Sequence, residues 1–482
     1  MSVTMNRRTF VSAASAAALV GAMGASAAFA TEIDTPAESY DLVVVGMGGA
    51  GMCAAIAGCE AGIPAENILI VERNAMAGGN TIFSSSGMNA AWTQYQKEQG
   101  IEDSVDLFIE ETIAGGHGMN QADLVETMCD GSADTIDWLA GHALVLDNIT
   151  TTGGFSVKRC HRPSDGSPIG AALVPALEAV VDEDGIQVLF NHRVTDLTKD
   201  ENGAVNGVVC EDGTKIGAKV VVLATGGFGS NPDMIKQFRP DLDGYVSTNA
   251  QSIQGDGMVM AQKAGASLVN MDQIQIHPTV FADGSLVAEG IRGGGAILIN
   301  NAGDRFTNEM GTRDVVSAAE IEQPDGKVWV IYDQTVYDNN TAAGKYENKG
   351  MSVKADDVAG LADLIGVPAD ELQATIDTYN ASVDGAEDPF DRTTGFVDKL
   401  ETGPFYAIAV YPGIHHTMGG VRINTENKCL SILGDVVPGL YAAGEVTGGL
   451  HGSNRIGGNA ICDVTVMGRN AGENATAEIN GK

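Results

Sequence analysis

Residues 40–62 read YDLVVVGMGGAGMCAAIAGCEAG. An apolar, β-rich run gives way to glycines and then to small residues, which predicts strand, tight turn and helix. Residues 67–73, NILIVER, supply a second strand. Together they make a βαβ unit of about thirty residues, the length such a unit requires. Gly46, Gly48 and Gly51 form G-x-G-x-x-G at the junction of strand and helix. The first glycine allows the turn and the second lets backbone approach a pyrophosphate. The third lets helix and strand pack closely, so that the helix N-terminus faces the phosphates. Glu72, 21 residues past Gly51, is placed to accept hydrogen bonds from ribose hydroxyls. These features point to dinucleotide binding, without choosing between a flavin and a nicotinamide.

Working outward, residues 218–231 (AKVVVLATGGFGSN) are another buried strand ending in a glycine turn, and residues 438–449 (PGLYAAGEVTGG) are a third of that type. Between about 276 and 404 the character changes. Strand-like AILINN and VWVIYD alternate with polar turns and with helical stretches such as PADELQATIDTYNAS. Nucleotide-site signals flank this region on both sides, so it reads as an α+β domain inserted into an α/β, Rossmann-like one. The expected division is 40–275 with 405–482 for the nucleotide-binding domain and 276–404 for the capping (clamp) domain. A chain of 482 residues is long enough for roughly two or three domains.

The first thirty residues read as a targeting segment. Arg7 and Arg8 are adjacent, an Ala-rich apolar run follows from Val11, and Ala28-Phe29-Ala30 is a small-x-small cleavage site. A twin-arginine signal implies export of a folded, cofactor-loaded protein across the cytoplasmic membrane; residues 31–39 then form a linker. No other stretch reaches the roughly 18 apolar residues of a membrane span. The net charge of −35 argues against nucleic acid or an anionic membrane as partner, and is compatible with a basic electron-transfer protein. Seven cysteines without paired spacing read as buried free thiols, and the absence of C-x-x-C-H excludes c-type haem attached to this chain.

Five further motifs carry chemistry: QIHPT with His277, AEGIRGGG with Glu289 and Arg292, GTRD with Arg313, HHTMGG with His415 and His416, and GSNRIGG with Arg455. Arginine suits a carboxylate because its planar fork makes bidentate, charge-assisted bonds and stays charged when desolvated. The histidines lack metal-ligand spacing, so no metal site is expected. With GGNT at 78–81 and GEVTGGLHGSNRIGGNAI at 444–461, these motifs resemble the flavoprotein domain of soluble fumarate reductases of the flavocytochrome c type. The chain resembles the flavoprotein subunits of succinate dehydrogenase and membrane-bound fumarate reductase more distantly. The resemblance runs from about Tyr40 to the C-terminus.

That resemblance implies FAD as cofactor, contacted by Ala50, Glu72, Gly79, Asn80, Thr81 and Gly87, by Val194 and Asp256, and by His416, Glu445, Ala460 and Ile461. No histidine stands near GGNT, where membrane-bound relatives attach the flavin, so the FAD is expected to be non-covalent. It also implies reduction of a carbon–carbon double bond next to a carboxylate, by hydride from flavin N5 and a proton. His415, Arg455 and Gly458 would hold the shared carboxylate, and His277 and Glu289 the rest of the substrate. Titration alone would make a histidine the proton donor; the resemblance gives that role to Arg313, re-protonated through Glu289 and Arg292. Two positions depart from the family: Ala288 replaces a threonine that binds the second carboxylate of fumarate, and Ser86 replaces a glycine. Fumarate is the first candidate substrate; urocanate, methacrylate and cinnamate-type acids are alternatives. Other flavin dehydrogenase or oxidase chemistry, or electron carriage alone, are further ones. Electrons would come from a separate donor such as a cytochrome or a membrane-linked redox protein.

Overall fold

The computed structural model of the chain describes residues 39–481 apart from residue 341. The twin-arginine segment, its cleavage site and most of the linker lie outside the described residues. Strand β1 (Ser39–Val45) leads through the glycine turn into helix α1 (Gly49–Glu60), and β2 (Ile68–Val71) follows. Leu42 to Val45 sit opposite Ile68 to Val71 in parallel register, all within a sheet covered on both faces. This is why the two strands read as unbroken apolar runs rather than alternating ones.

Around this pair the sheet runs in the order Lys428–Leu430, Val436–Ala442, Lys215–Leu223, β1, β2, Gln187–Leu189. All but the first of these are parallel. The two later apolar runs seen in the sequence thus lie side by side, and the glycine turns that end them converge on the carboxyl edge of the sheet. An antiparallel excursion, Val194–Lys199 and Val205–Cys210, precedes Lys215–Leu223. Ligands of open α/β sheets bind at that carboxyl edge.

The region from Ile274 builds a second, five-stranded sheet. Strand β3 (Ile274–Val280) and the nine-residue helix α2 (Arg313–Ile321) lie together, with Ser317 Oγ donating to the Ile276 carbonyl. Strand β4 (Phe405–Thr417) pairs along its first half with Val328–Asp333 and Ser352–Ala355, and along its second half with β3. The expected boundaries at 275/276 and 404/405 therefore fall inside β3 and at the start of β4. The core of this layer includes Ile297, Leu298, Val330, Ile331, Leu361 and Tyr379, all fully buried. Each such aliphatic side chain contributes about 1.5–3 kcal/mol on burial. Beside it lies a neutral buried quartet: Arg305 and Arg392 pair with Glu309, and Arg305 also with Asp388. Finally α3 (Asn459–Ile479) packs along α1 through small residues, Gly472 lying against Ala54 and Gly58.

All seven cysteines are free thiols, six of them buried. Among the described residues no helix is long and apolar enough to cross a membrane, and no group of three or more His, Cys, Asp or Glu side chains is arranged to hold a metal ion.

Candidate active site

A continuous cleft of about 1490 Å³ of empty space opens at the carboxyl edge of the parallel sheet. At one end the turn after β1 forms its floor. Gly46 has φ +106°, and a Cβ on Gly51 would collide with the Gly46 carbonyl oxygen. Both positions demand glycine, for opposite reasons: one for backbone angle, one for space. Gly46, Gly48 and Ala50 line the cleft, and Gly51 sits behind them. Glu72 is held by the Met47 amide at 2.8 Å and the Asn74 amide at 2.7 Å.

Val194 and Asp256 line the same end. Asp256 is gripped by Arg193 at 2.8 and 3.0 Å and by Arg73 at 3.0 Å. Both arginines also line the cleft and had not been singled out, although Arg73 directly follows Glu72 and Arg193 precedes Val194.

The middle of the cleft is stitched by Asn80. Its amide donates to Asn249 Oδ1 at 2.6 Å and to Glu445 Oε2 at 3.2 Å, and its carbonyl accepts from the Ala250 amide at 2.9 Å. Thr81 Oγ1 accepts from the Gly49 amide at 3.1 Å, tying GGNT to the start of α1. Gly79, Ala460 and Ile461 complete this wall, the last two in the first turn of α3. Gly87 does not line the cleft. It follows Ser86, and a Cβ there would strike the His161 carbonyl oxygen, so close backbone approach alone already demands glycine.

At the far end two strands cross into the site. The register of β3 on β4 sets Gln275 opposite His416 and His277 opposite Gly413. His415 and His416 both line the cleft. His416 lies with Nδ1 3.6 Å from Glu445, and its Nε2 has no protein partner. His415 Nδ1 is 2.7 Å from the Thr248 hydroxyl. His277 stands behind it, ring centroids 5.0 Å apart, with Nε2 buried and unpartnered.

The arginines gather around one amide. Gln275 Oε1 accepts from Arg313 and from Arg455, each at 3.1 Å, while its Nε2 donates to Asn454 Oδ1 and to the Arg455 carbonyl at 2.7 Å. Arg313, first residue of α2, also donates to Glu289 at 3.0 and 3.3 Å. Arg292 lies 3.6 Å from the same carboxylate, and its Nη1 is fixed on the Glu309 carbonyl at 2.6 Å. Arg313, Arg455 and Gly458 line the main cleft. Glu289 instead opens on a small adjoining cavity of about 220 Å³, shared with Arg313, Arg455 and Gly457.

Three guanidiniums thus face one carboxylate, and burial together with the surplus positive charge shifts the titrations nearby. Burial would raise Glu289, but Arg313, Arg292 and Arg455 overcome it and hold the group down to about 2. Burial, reinforced by Arg313, pushes Arg455 down to about 9. His277, His415 and His416 are driven well below the ordinary histidine value, first by burial and then by the arginines. All three are therefore neutral at pH 7. Neutral imidazoles donate hydrogen bonds but are poor proton sources.

Residues 41–461 match the family described as FAD binding domain. The chain belongs to that family. It is 44% identical over 453 residues to the NADH:fumarate oxidoreductase of Klebsiella pneumoniae (strain 342), which covers 93% of this chain and 49% of that protein. It is 37% identical over 459 residues to the urocanate reductase of Eggerthella lenta, covering 91% of this chain and 74% of the relative. Among solved structures it is similar to the open conformation of a flavocytochrome c3 fumarate reductase, with TM-score 0.79 and 40% identity over 92% of this chain and 79% of that one. The chain thus spans about half the length of the first of these relatives. FAD is its cofactor, and the cleft fits it. Glycine-bounded amides stand at the head of α1, Glu72 keeps acceptor capacity where the ribose comes, and the unpartnered Nε2 of His416 awaits an acceptor farther along.

Proposed function

We propose that this chain reduces the carbon–carbon double bond of a small α,β-unsaturated carboxylate, with fumarate as first candidate. The observation that carries the reading is the cluster of Arg313, Arg455 and Arg292 around Gln275 and Glu289, opening onto the flavin cleft beside two neutral histidines. FAD, when bound, supplies the hydride. His415 Nε2 and Arg455 hold the substrate carboxylate, the guanidinium by charge-assisted bonds, and stabilise the negative charge that develops beside it. His277 contacts the far end of the substrate. Arg313 gives its proton to the α-carbon, completing the saturated acid. Glu289, in contact with both Arg313 and Arg292, returns a proton to it.

Ala288 in the family's threonine position favours a second reading, an enoate whose far end is not a carboxylate, such as urocanate. The FAD is non-covalent in this proposal, and residues 276–404 act as a cap on the 40–275 and 405–482 domain. The protein is exported by the twin-arginine route and receives electrons from a separate cytochrome or membrane-linked redox protein. The test is turnover of a panel of enoates by FAD-loaded protein with reduced viologen. No oxidation with any of them, flavin being bound, rejects the reading.

A further inference from the structure

Helix α2 carries Arg313 at its first residue and Glu320 near its last. Seven residues apart, two helical turns, they share one face. Glu320 is 0% exposed and neither of its carboxylate oxygens has a hydrogen-bond partner. Among the described residues it belongs to no ion pair. The charged group that acts on it is Arg292, whose own Nε is buried and unpartnered. An isolated buried carboxylate is too costly to persist in the fold, and the carbonyls of the last helical turn disfavour negative charge further. Burial accordingly raises Glu320 well above the carboxylate range, with Arg292 opposing it. The group is a carboxylic acid at neutral pH, enclosed in the last turn of α2 and within the field of Arg292. One residue on, Ile321 is 44% exposed and Glu322 lies at the surface, so solvent is one residue away along the chain.

We propose that Glu320 is the proton reserve of the active site: its carboxylic acid re-protonates Arg313 through Arg292 and Glu289, and it recovers its proton from water at the end of α2. This rests on the enoate-reductase reading and deepens it. The balance closes without a further reagent. Each turnover moves one proton from Arg313 to carbon. One proton passes from Glu320 to Arg292, from Arg292 to Glu289 and from Glu289 to Arg313, leaving Glu320 ionised. Water then returns one proton to Glu320. The step from Glu320 to Arg292 needs a side-chain swing or a bridging water, since the two groups share no hydrogen bond in the resting arrangement. Glu320 lines neither the cleft nor the adjoining cavity, so its effect is confined to proton return.

The experiment compares wild type, Glu320→Gln and Glu289→Gln. Glutamine copies the shape of the neutral acid, so Glu320→Gln is expected to fold and bind FAD as wild type does. On resting protein, infrared spectroscopy should show a protonated-carboxyl C=O band at pH 7 that Glu320→Gln lacks. With fumarate and reduced viologen, kcat of Glu320→Gln should fall about tenfold, equivalent to about 1.4 kcal/mol. The solvent isotope effect should rise and KM should not change. Absence of the infrared band, or kcat and isotope effect equal to wild type, overturns the proposal. The enoate reading fails separately: it falls if wild type itself turns over no enoate, or if Glu289→Gln retains full activity.

Discussion

Replacing Gln275 by leucine removes one side chain and disturbs two arginines at once. Its Oε1 accepts from Arg313 and Arg455 at 3.1 Å each, and its Nε2 anchors the 454–455 segment through two bonds of 2.7 Å. A hydrogen bond to a charged group contributes about 1.5–3 kcal/mol. Each guanidinium keeps another partner, Arg313 on Glu289 and Arg455 on the Ile456 carbonyl, so the lower end of that range applies to each. The two losses sum to about 3 kcal/mol of transition-state stabilisation, a little over two decades in kcat/KM. Because Arg455 holds substrate and Arg313 delivers the proton, KM should rise and kcat should fall together. The assay is steady-state fumarate reduction by FAD-loaded Gln275→Leu, with flavin absorbance confirming occupancy. Kinetics within about threefold of wild type in both constants would show that the amide does not organise the arginines, and the geometric reasoning would be wrong.

Other consequences concern individual groups. His415→Ala should raise KM for the enoate with FAD retained, whereas His416→Ala should weaken FAD retention more than substrate binding; flavin titration alongside kinetics separates the two. Gly51→Ala should leave the protein without FAD, because the added methyl collides with the Gly46 carbonyl oxygen; a fully loaded variant contradicts this. Three histidines with folded-state values depressed below the ordinary 6.5 stabilise the fold above that pH and lose the contribution as pH falls through their folded values. Glu289, depressed from 4.5 to about 2, adds a further loss across that lower window. Thermal unfolding should therefore show Tm falling from pH 6.5 downward, and a Tm independent of pH there would refute the neutral-histidine cluster.

Much of this arrangement is legible in the sequence because its determinants are local. The turn from β1 into α1 is written in the spacing of Gly46, Gly48 and Gly51, and the apolar runs at 218–223 and 438–442 announce buried parallel strands. HHTMGG likewise places two histidines at the end of one strand, where β4 delivers both to the cleft. What escapes a linear reading depends on register between distant segments. Gln275 reaches the two arginines only because β3 pairs with β4 so that it lies opposite His416, just before the first of two register shifts along the strand. Thr248 meets His415 across 167 positions, and Arg73 meets Asp256 across 183. Glu320 gives no signal at all in its own neighbourhood; its meaning comes from being fully enclosed within the field of Arg292. Gly87, which the resemblance assigns to the flavin, carries a further constraint that a linear reading does not show, the His161 carbonyl against its Cα.

The role of Arg313 as proton donor is tested most directly by Arg313→Ala. FAD-loaded variant and wild type are compared for oxidation of reduced viologen by fumarate, across pH. The expected result is bound flavin and no measurable turnover at any pH. Turnover retained at the wild-type rate, with flavin bound, would contradict the assignment and return the proton to another group.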